Sequence, residues 1–181
     1  MKIPTLRPRK RKREGSGVVS DDEGNVSFGY KVVWLQEIID KKGVLVALKV
    51  VPIQTHDIEA ARSLVDDFPF EENSLLIMDR AFIDGPWITH LKNDRKVDTC
   101  LPLKKNMEPT INAVSLADER GLWKAHPLRE EQWVASLSKE DIFWKDCPVL
   151  SSAVLCRWTN TKTNEVENVL FVTTQDNKNS K

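Results

Sequence analysis

Apolar residues fall along this chain in short bursts separated by turn signals, and the spacing inside each burst assigns it to a strand or a helix. Phe28 to Ile39 is dense in β-branched and aromatic residues, Asp40-Lys41-Lys42-Gly43 supplies a turn, and Val44 to Ile53 is a second apolar run. Together they predict an antiparallel hairpin. Thr55 offers an N-cap for a helix from about His56 to Asp67, in which Ile58, Ala61, Leu64 and Val65 recur at helical spacing. Leu75-Leu76-Ile77-Met78 then forms a short apolar run that stops on a carboxylate, Asp79, followed by Arg80-Ala81-Phe82. A bounded run of this kind reads as a buried strand. A second helix is expected from near Asp84 or Pro86, with Trp87, Ile88 and Leu91 on one face. Val97 to Leu103 reads as a further strand, followed by Lys104-Lys105-Asn106. Hairpin, helix, strand, helix, strand is the order of a mixed α/β sheet.

The second half changes character. Trp133 to Leu137, Ile142 to Cys147, Val149 to Trp158 and Val166 to Thr174 predict short strands, with the polar turn Thr159 to Asn164 between the last two. This is a β-rich appendage or an insertion into the sheet domain. The expected organisation is a basic flexible arm and linker over residues 1–27, a sheet core over 28–107, a β-rich insertion over 108–176, and a frayed tail over 177–181.

Composition narrows the class. Hydrophobic residues make up 40% and charged residues 30% of 181 positions, which suits a soluble globular chain. Lys plus Arg and Asp plus Glu both number 27, so formal net charge is zero. The balance hides an asymmetry, because Lys2, Arg7, Arg9, Lys10, Arg11, Lys12 and Arg13 crowd the start. Such a block can neutralise nucleic-acid phosphates, or it can be a solvated tail. Cys100, Cys147 and Cys156 have no metal-ligand spacing and are too few for a disulfide framework, which favours a reducing cytoplasm. The opening residues lack the apolar segment of a secretory signal, and no run is long enough to cross a bilayer.

Asp79 carries the most specific chemical signal, since open α/β sheets commonly place ligand sites at the carboxyl ends of their strands. The bland alternative is that it caps the next helix. His56, His90 and His126 are scattered without partners at catalytic or zinc spacing. The six tryptophans suit packing better than base stacking. No glycine-rich phosphate loop, nucleophile elbow or dinucleotide fingerprint is present.

The order and spacing of several segments carry a family resemblance: Phe28-Gly29-Tyr30-Lys31, Thr55-His56-Asp57 with Glu59-Ala60-Ala61, Leu76-Ile77-Met78-Asp79-Arg80-Ala81-Phe82, Leu103-Lys104-Lys105-Asn106-Met107 and Val169-Leu170-Phe171-Val172-Thr173-Thr174. Over roughly residues 20 to 176 the chain resembles DDE transposases of bacterial insertion sequences, in the branch with a β-rich insertion in a ribonuclease H-like catalytic domain. The resemblance implies a partial ribonuclease H-like mixed sheet with flanking helices. It also implies three carboxylates holding two Mg²⁺ or Mn²⁺ ions for DNA strand cleavage and transfer, with transposon-end DNA as partner and a place beside the nucleoid. Paired hard cations stabilise both the attacking and the leaving oxygen of a phosphoryl displacement. By position Asp79 corresponds to the second acid, catalytic and metal-binding. Arg80, Lys31, Lys104 and Lys105 become candidate nucleic-acid contacts.

The resemblance breaks at two places. The family's first acid ends a strand well upstream of Phe28, where this chain has a basic arm; Val18-Val19-Ser20-Asp21 is the one alternative, as the stub of a strand ending in an acid. The third acid, a helix-borne glutamate, would lie beyond Thr174. The expectation is therefore one metal ligand of three and weak ion binding. A polypeptide cut at both ends, without transposition activity of its own, is expected, as are open sheet edges where the central first strand is lacking. The alternative is a non-catalytic remnant that binds DNA or associates with a full-length transposase.

Overall fold

The hairpin signal at Asp40 is realised with a tighter turn than the sequence suggests. In the computed structural model, which describes residues 14–176, β2 (Val26–Ile39) and β3 (Lys42–Pro52) are joined by Asp40 and Lys41 alone. Both have positive φ, 49° and 65°, as a two-residue turn between right-twisted strands requires. Asp tolerates that region through local hydrogen bonding, whereas Lys41 enters it against its Cβ. A register shift between Leu35 and Gln36 leaves Val46 without a partner on β2. Helix α1 (Asp57–Val65) lays Ala60, Ala61, Leu64 and Val65 over this hairpin, burying Val33, Leu35 and Val51. Its N-cap is His56 rather than Thr55: His56 Nδ1 accepts the Ile58 N–H at 3.4 Å, while the Thr55 carbonyl accepts from Lys31 Nζ at 2.7 Å.

The predicted linker before Phe28 contains a strand, β1 (Gly17–Ser20), paired antiparallel to β2 from Val26 to Gly29. The turn between them is organised by Asp21, whose carboxylate accepts the N–H groups of Glu23 at 3.1 Å and Asn25 at 2.8 Å. Gly24, at φ 80°, takes the left-handed position. Asp21 is thus committed to the turn, and its carboxyl is held below the ordinary range chiefly by the Asn25 side-chain hydrogen bond.

The pairing parity of β2 has a definite sense. Alternate residues of a strand turn their backbone groups to opposite edges. Toward β1, Asp21 N–H donates to the Asn25 carbonyl at 3.1 Å; toward β3, Ile53 N–H donates to the Gly29 carbonyl at 3.1 Å. The pair closing the Asp40-Lys41 turn is Ile39 with Lys42. All three β2-side residues are odd-numbered, so β1 and β3 occupy one edge of β2, on successive stretches Val26–Gly29 and Tyr30–Ile39. Glycine is needed where they meet, because a Cβ on Gly17 would lie 1.3 Å from Gln54 Oε1 and 2.8 Å from Ile53 N. The even-numbered residues from Phe28 to Ile38 point N–H and C=O to the other edge, and no strand pairs there among the described residues.

Residues 14–69 form one compact unit, and the remainder forms a second. The second is built on six strands in the order β4 (Leu75–Ile77), β5 (Asp98–Pro102), β9 (Val166–Thr173), β8 (Ser152–Thr159), β7 (Gln132–Ser138) and β6 (Lys124–Ala125). The β4–β5 pair is parallel and all others are antiparallel. Two helices, α2 (Gly85–Asn93) and α3 (Glu108–Glu119), pack on β5 and β9. Trp87, Ile88 and Leu91 of α2, Ala113 and Ala117 of α3, and Leu101, Leu155, Leu170 and Val172 of the strands make the buried core. The strands of the β-rich segment therefore share one sheet with β4 and β5. This mixed architecture is consistent with a partial ribonuclease H-like fold.

Two local expectations are corrected. Ile142 to Cys147 is not a strand: Pro148 removes a ladder donor, Cys147 N–H closes a turn on the Trp144 carbonyl at 3.0 Å, and the segment presses on α2, where a Cβ on Gly85 would meet Asp146 O at 2.4 Å. The following strand accordingly begins at Ser152 rather than Val149. The basic arm over residues 1–13 and the tail over 177–181 lie outside the described residues.

The end of α3 is latched to β8 by a side-chain cluster. Arg157 donates from Nη1 and Nη2 to Asp118 at 2.7 and 3.0 Å, its guanidinium lies 3.9 Å from the Trp123 ring centroid, and Trp123 Nε1 donates to Asp118 at 2.7 Å. The Arg157 and Trp123 hydrogen bonds hold the Asp118 carboxyl below its ordinary 3.8. A depressed folded-state value means the latch is intact above the ordinary carboxylate range and is lost as pH falls through the lowered one. The fluorescence difference between the protein and its Trp123→Phe variant should be flat from neutral pH down to about pH 4 and change below it; Asp118→Asn should abolish that acid step. At the hairpin, Lys41→Gly should raise unfolding free energy by about 1 kcal/mol in urea titration, by relieving the left-handed strain.

Candidate functional site

The parallel pairing of β4 with β5 decides which candidate residues meet. Ile77 lies opposite Cys100, and Met78 N–H extends the ladder to the Cys100 carbonyl at 2.9 Å. Both strands therefore end on the same side of the sheet, β4 into Asp79-Arg80 and β5 into Lys104-Lys105. Below the tip, Met78 and Phe82 are buried, with 5% and 1% of their surface exposed, and they anchor a segment whose charged residues Asp79 and Arg80 stay in solvent. The next strand in the sheet contributes at this end as well, since Leu103 N–H donates to the Leu170 carbonyl at 2.8 Å.

Asp79 itself takes the local capping role. It is the N-cap of a single 3₁₀ turn over Arg80–Phe82, and its Oδ1 accepts the Ala81 N–H at 3.0 Å. One oxygen is thereby held in a fixed direction while the carboxylate remains exposed. Arg80, Lys104 and Lys105 are exposed too, and none of them makes an ion pair among the described residues. The loop carrying the lysines turns through a Met107 N–H bond to the Lys104 carbonyl at 3.1 Å and leads directly into α3. Among the described residues these three cations have no ion-pair partner, and they lie with one carboxylate at the same end of two neighbouring strands. Phosphate groups are met by charge and by N–H donors, and Arg matches phosphate geometry in a bidentate manner.

Lys31 is placed differently. It lies in the first unit, where Nζ is 2.5 Å from Asp57 Oδ1 in addition to its bond to the Thr55 carbonyl. Its charge is thus partly neutralised by α1. His90 pairs with Asp94 at 2.7 Å on α2, and His56 and His126 accept neighbouring backbone N–H groups. Cys147 is buried and its thiol is pushed up to about 11 by desolvation, which leaves it unreactive. A cavity of about 440 Å³ between β6 and β7, lined by Ala125 to Trp133, includes none of the predicted site residues.

The pair of divalent ions implied by the resemblance can be tested against this geometry. Mg²⁺ keeps its waters unless several oxygen ligands converge. Among the described residues no group of three or more His, Cys, Asp or Glu gathers into a metal-binding arrangement, and one oxygen of Asp79 is already engaged. The residues described do not fit a two-ion centre. The sequence reading had no means to see the Asp118–Arg157–Trp123 cluster, whose members sit up to 39 positions apart. Neither comparison with curated proteins nor comparison with solved structures gave a match. A family model for the transposase DDE domain matches residues 7–140. The pattern of strand-end acid and basic loops and this match over most of the sequence agree: the chain belongs to the transposase DDE domain family.

Proposed function

We propose that this chain is a DNA-holding transposase domain, of the branch with a β-rich insertion, whose catalytic centre is incomplete in itself. Transposase domains act on DNA and generally use divalent metal ions. The observation that carries the reading is the shared end of β4 and β5, which gathers Asp79 with three unpaired cations, Arg80, Lys104 and Lys105. In this reading Asp79 is an acid of the strand-cleavage site, and the cations grip the phosphate backbone beside it. Further acids must converge on Asp79 before ions bind tightly enough for chemistry. A longer transposase could furnish them, docking through the free edge of β2, where an added strand would satisfy the outward backbone groups. No helix among the described residues is long and apolar enough to cross a membrane. DNA contact would place the chain at the nucleoid.

Two measurements test this. Supercoiled plasmid incubated with the protein and Mn²⁺ should remain un-nicked, with or without Asp79→Ala. Nicking that disappears in the Asp79→Ala protein would show a complete centre and sink the incompleteness part of the proposal. DNA affinity should fall steeply with salt, and replacing Lys104 and Lys105 together by Ala should lower the slope of log affinity against log salt by about two units. An unchanged slope would place the phosphate contacts elsewhere.

A further inference from the structure

The outward edge of β2 is a long run of backbone groups that no strand among the described residues pairs. From Phe28 to Ile38 every even-numbered residue turns its N–H and C=O away from β1 and β3, over roughly 35 Å of extended chain. The flanking side chains are those of a strand made to be paired: Phe28, Tyr30, Val32, Val33, Trp34, Leu35 and Ile38. Two devices that blunt an edge, proline and short length, are missing from it.

We infer that this edge is a self-association surface, on which β2 of a second copy pairs antiparallel about a two-fold axis at Trp34. The inference extends the reading above of β2 as a docking edge, and it names a different occupant, chosen by register. Hydrogen-bonded pairs must join two outward residues, so even positions face even ones. Centred on Trp34, the register sets Val32 opposite Gln36 and Tyr30 opposite Ile38, giving about ten backbone hydrogen bonds across the axis. On the face under α1 it sets Val33 opposite Leu35 and Lys31 opposite Glu37 of the second copy, each twice. Lys31 Nζ uses two donors, on Thr55 O and Asp57 Oδ1, and keeps one for the incoming carboxylate. Glu37 is exposed at the far end of the same face.

Neighbouring registers lose this match. Centred on Val33, Lys31 would face Leu35 and Glu37 would face Gly29. Centred on Leu35, Glu37 would face Val33, which is fully buried. Like charges directly opposite or charges set against apolar partners are unfavourable on a sheet. Charge complementarity therefore selects Trp34 as the axis. A contact made by two strand edges is small beside a standard interface, so the dimer is expected to be reversible rather than permanent.

The test is sedimentation equilibrium of the full chain from about 1 to about 100 µM, a range that brackets micromolar affinity, with hydrogen exchange at the Val32, Trp34 and Gln36 amides. Dimer at the upper end, with those amides protected only in the dimer, is the expected result. Glu37→Lys sets lysine opposite lysine twice and should weaken association at least tenfold while leaving the circular dichroism unchanged. Trp34→Cys should give an oxidised dimer linked through position 34. A monomer at every concentration overturns the inference. If the amides of that monomer are protected, the edge is filled from within the chain, and the reading of β2 as a docking edge falls too; if they exchange freely, the edge is open but does not pair with itself, and only the self-association falls. A dimer indifferent to Glu37→Lys and not linked through position 34 joins by another surface and also overturns it.

Discussion

An extended backbone must find a partner for each N–H and C=O it takes out of water, and this requirement shapes both units. In the first, β2 is long enough to need two strands on one side, and Gly17 is what lets them meet end to end without a side chain between them. The other side of β2 receives no such arrangement from the described residues. The whole unit is thus a hairpin and a helix built around a strand satisfied on one edge only. The second unit solves the same problem by sequence distance. β5 is flanked by β4 through a helix-bearing crossover and by β9 from the far end of the fold, so its backbone is paired on both sides.

That crossover is also what gives the candidate site its geometry. Two parallel neighbours must finish on the same side of a sheet, and here one finishes in Asp79-Arg80 and the other in Lys104-Lys105. Burial of Met78, Phe82 and Leu103 next to the charged residues fixes the loop stems. The chemistry is therefore presented by a rigid scaffold, while the acid itself is satisfied as a cap. A carboxylate in this state is positioned and solvent-facing, and it meets an ion centre only in company.

Much of this was legible along the chain. The hairpin and α1 in the first unit, and the Asp84 start of α2 and the strands β5, β7 and β9 in the second, follow from alternation, helical spacing and breakers. The strand before Asp79 is found where expected but as an exposed edge strand rather than a buried one, with Leu75 and Ile77 open to solvent. The missed elements have physical causes. Helix α3 buries Ala113 and Ala117, small residues that leave almost no apolar stripe to read, although Glu108-Pro109 is a fair helix start. Strand β1 lies in a Gly/Ser/Asp-rich stretch that reads as linker, with Val18-Val19-Ser20-Asp21 as the one strand alternative; the strand is there, but Asp21 organises the tight turn that follows it. Lys31 looked like a free cation because its partner, Asp57, is 26 positions away. Of the site, the sequence showed the residue types and their place at strand ends. That Asp79 and Lys104 share one end depended on the parallel sense of β4 and β5, which a crossover helix suggests and only pairing establishes.

The last strand of the second unit carries a kinetic burden. Thr174 receives the Thr99 N–H at 2.9 Å and donates to buried Asp98 at 3.1 Å, which also binds Lys92 at 2.6 Å, so the start of β5 is secured by a residue 75 positions downstream. Contacts of such high separation form late, after the entropy of closing a long loop has been met. On the ribosome, β5 and β8 must wait beside an empty lane until the segment from Val166 onward has emerged. During that interval their apolar faces are available to chaperones and to one another on neighbouring nascent chains.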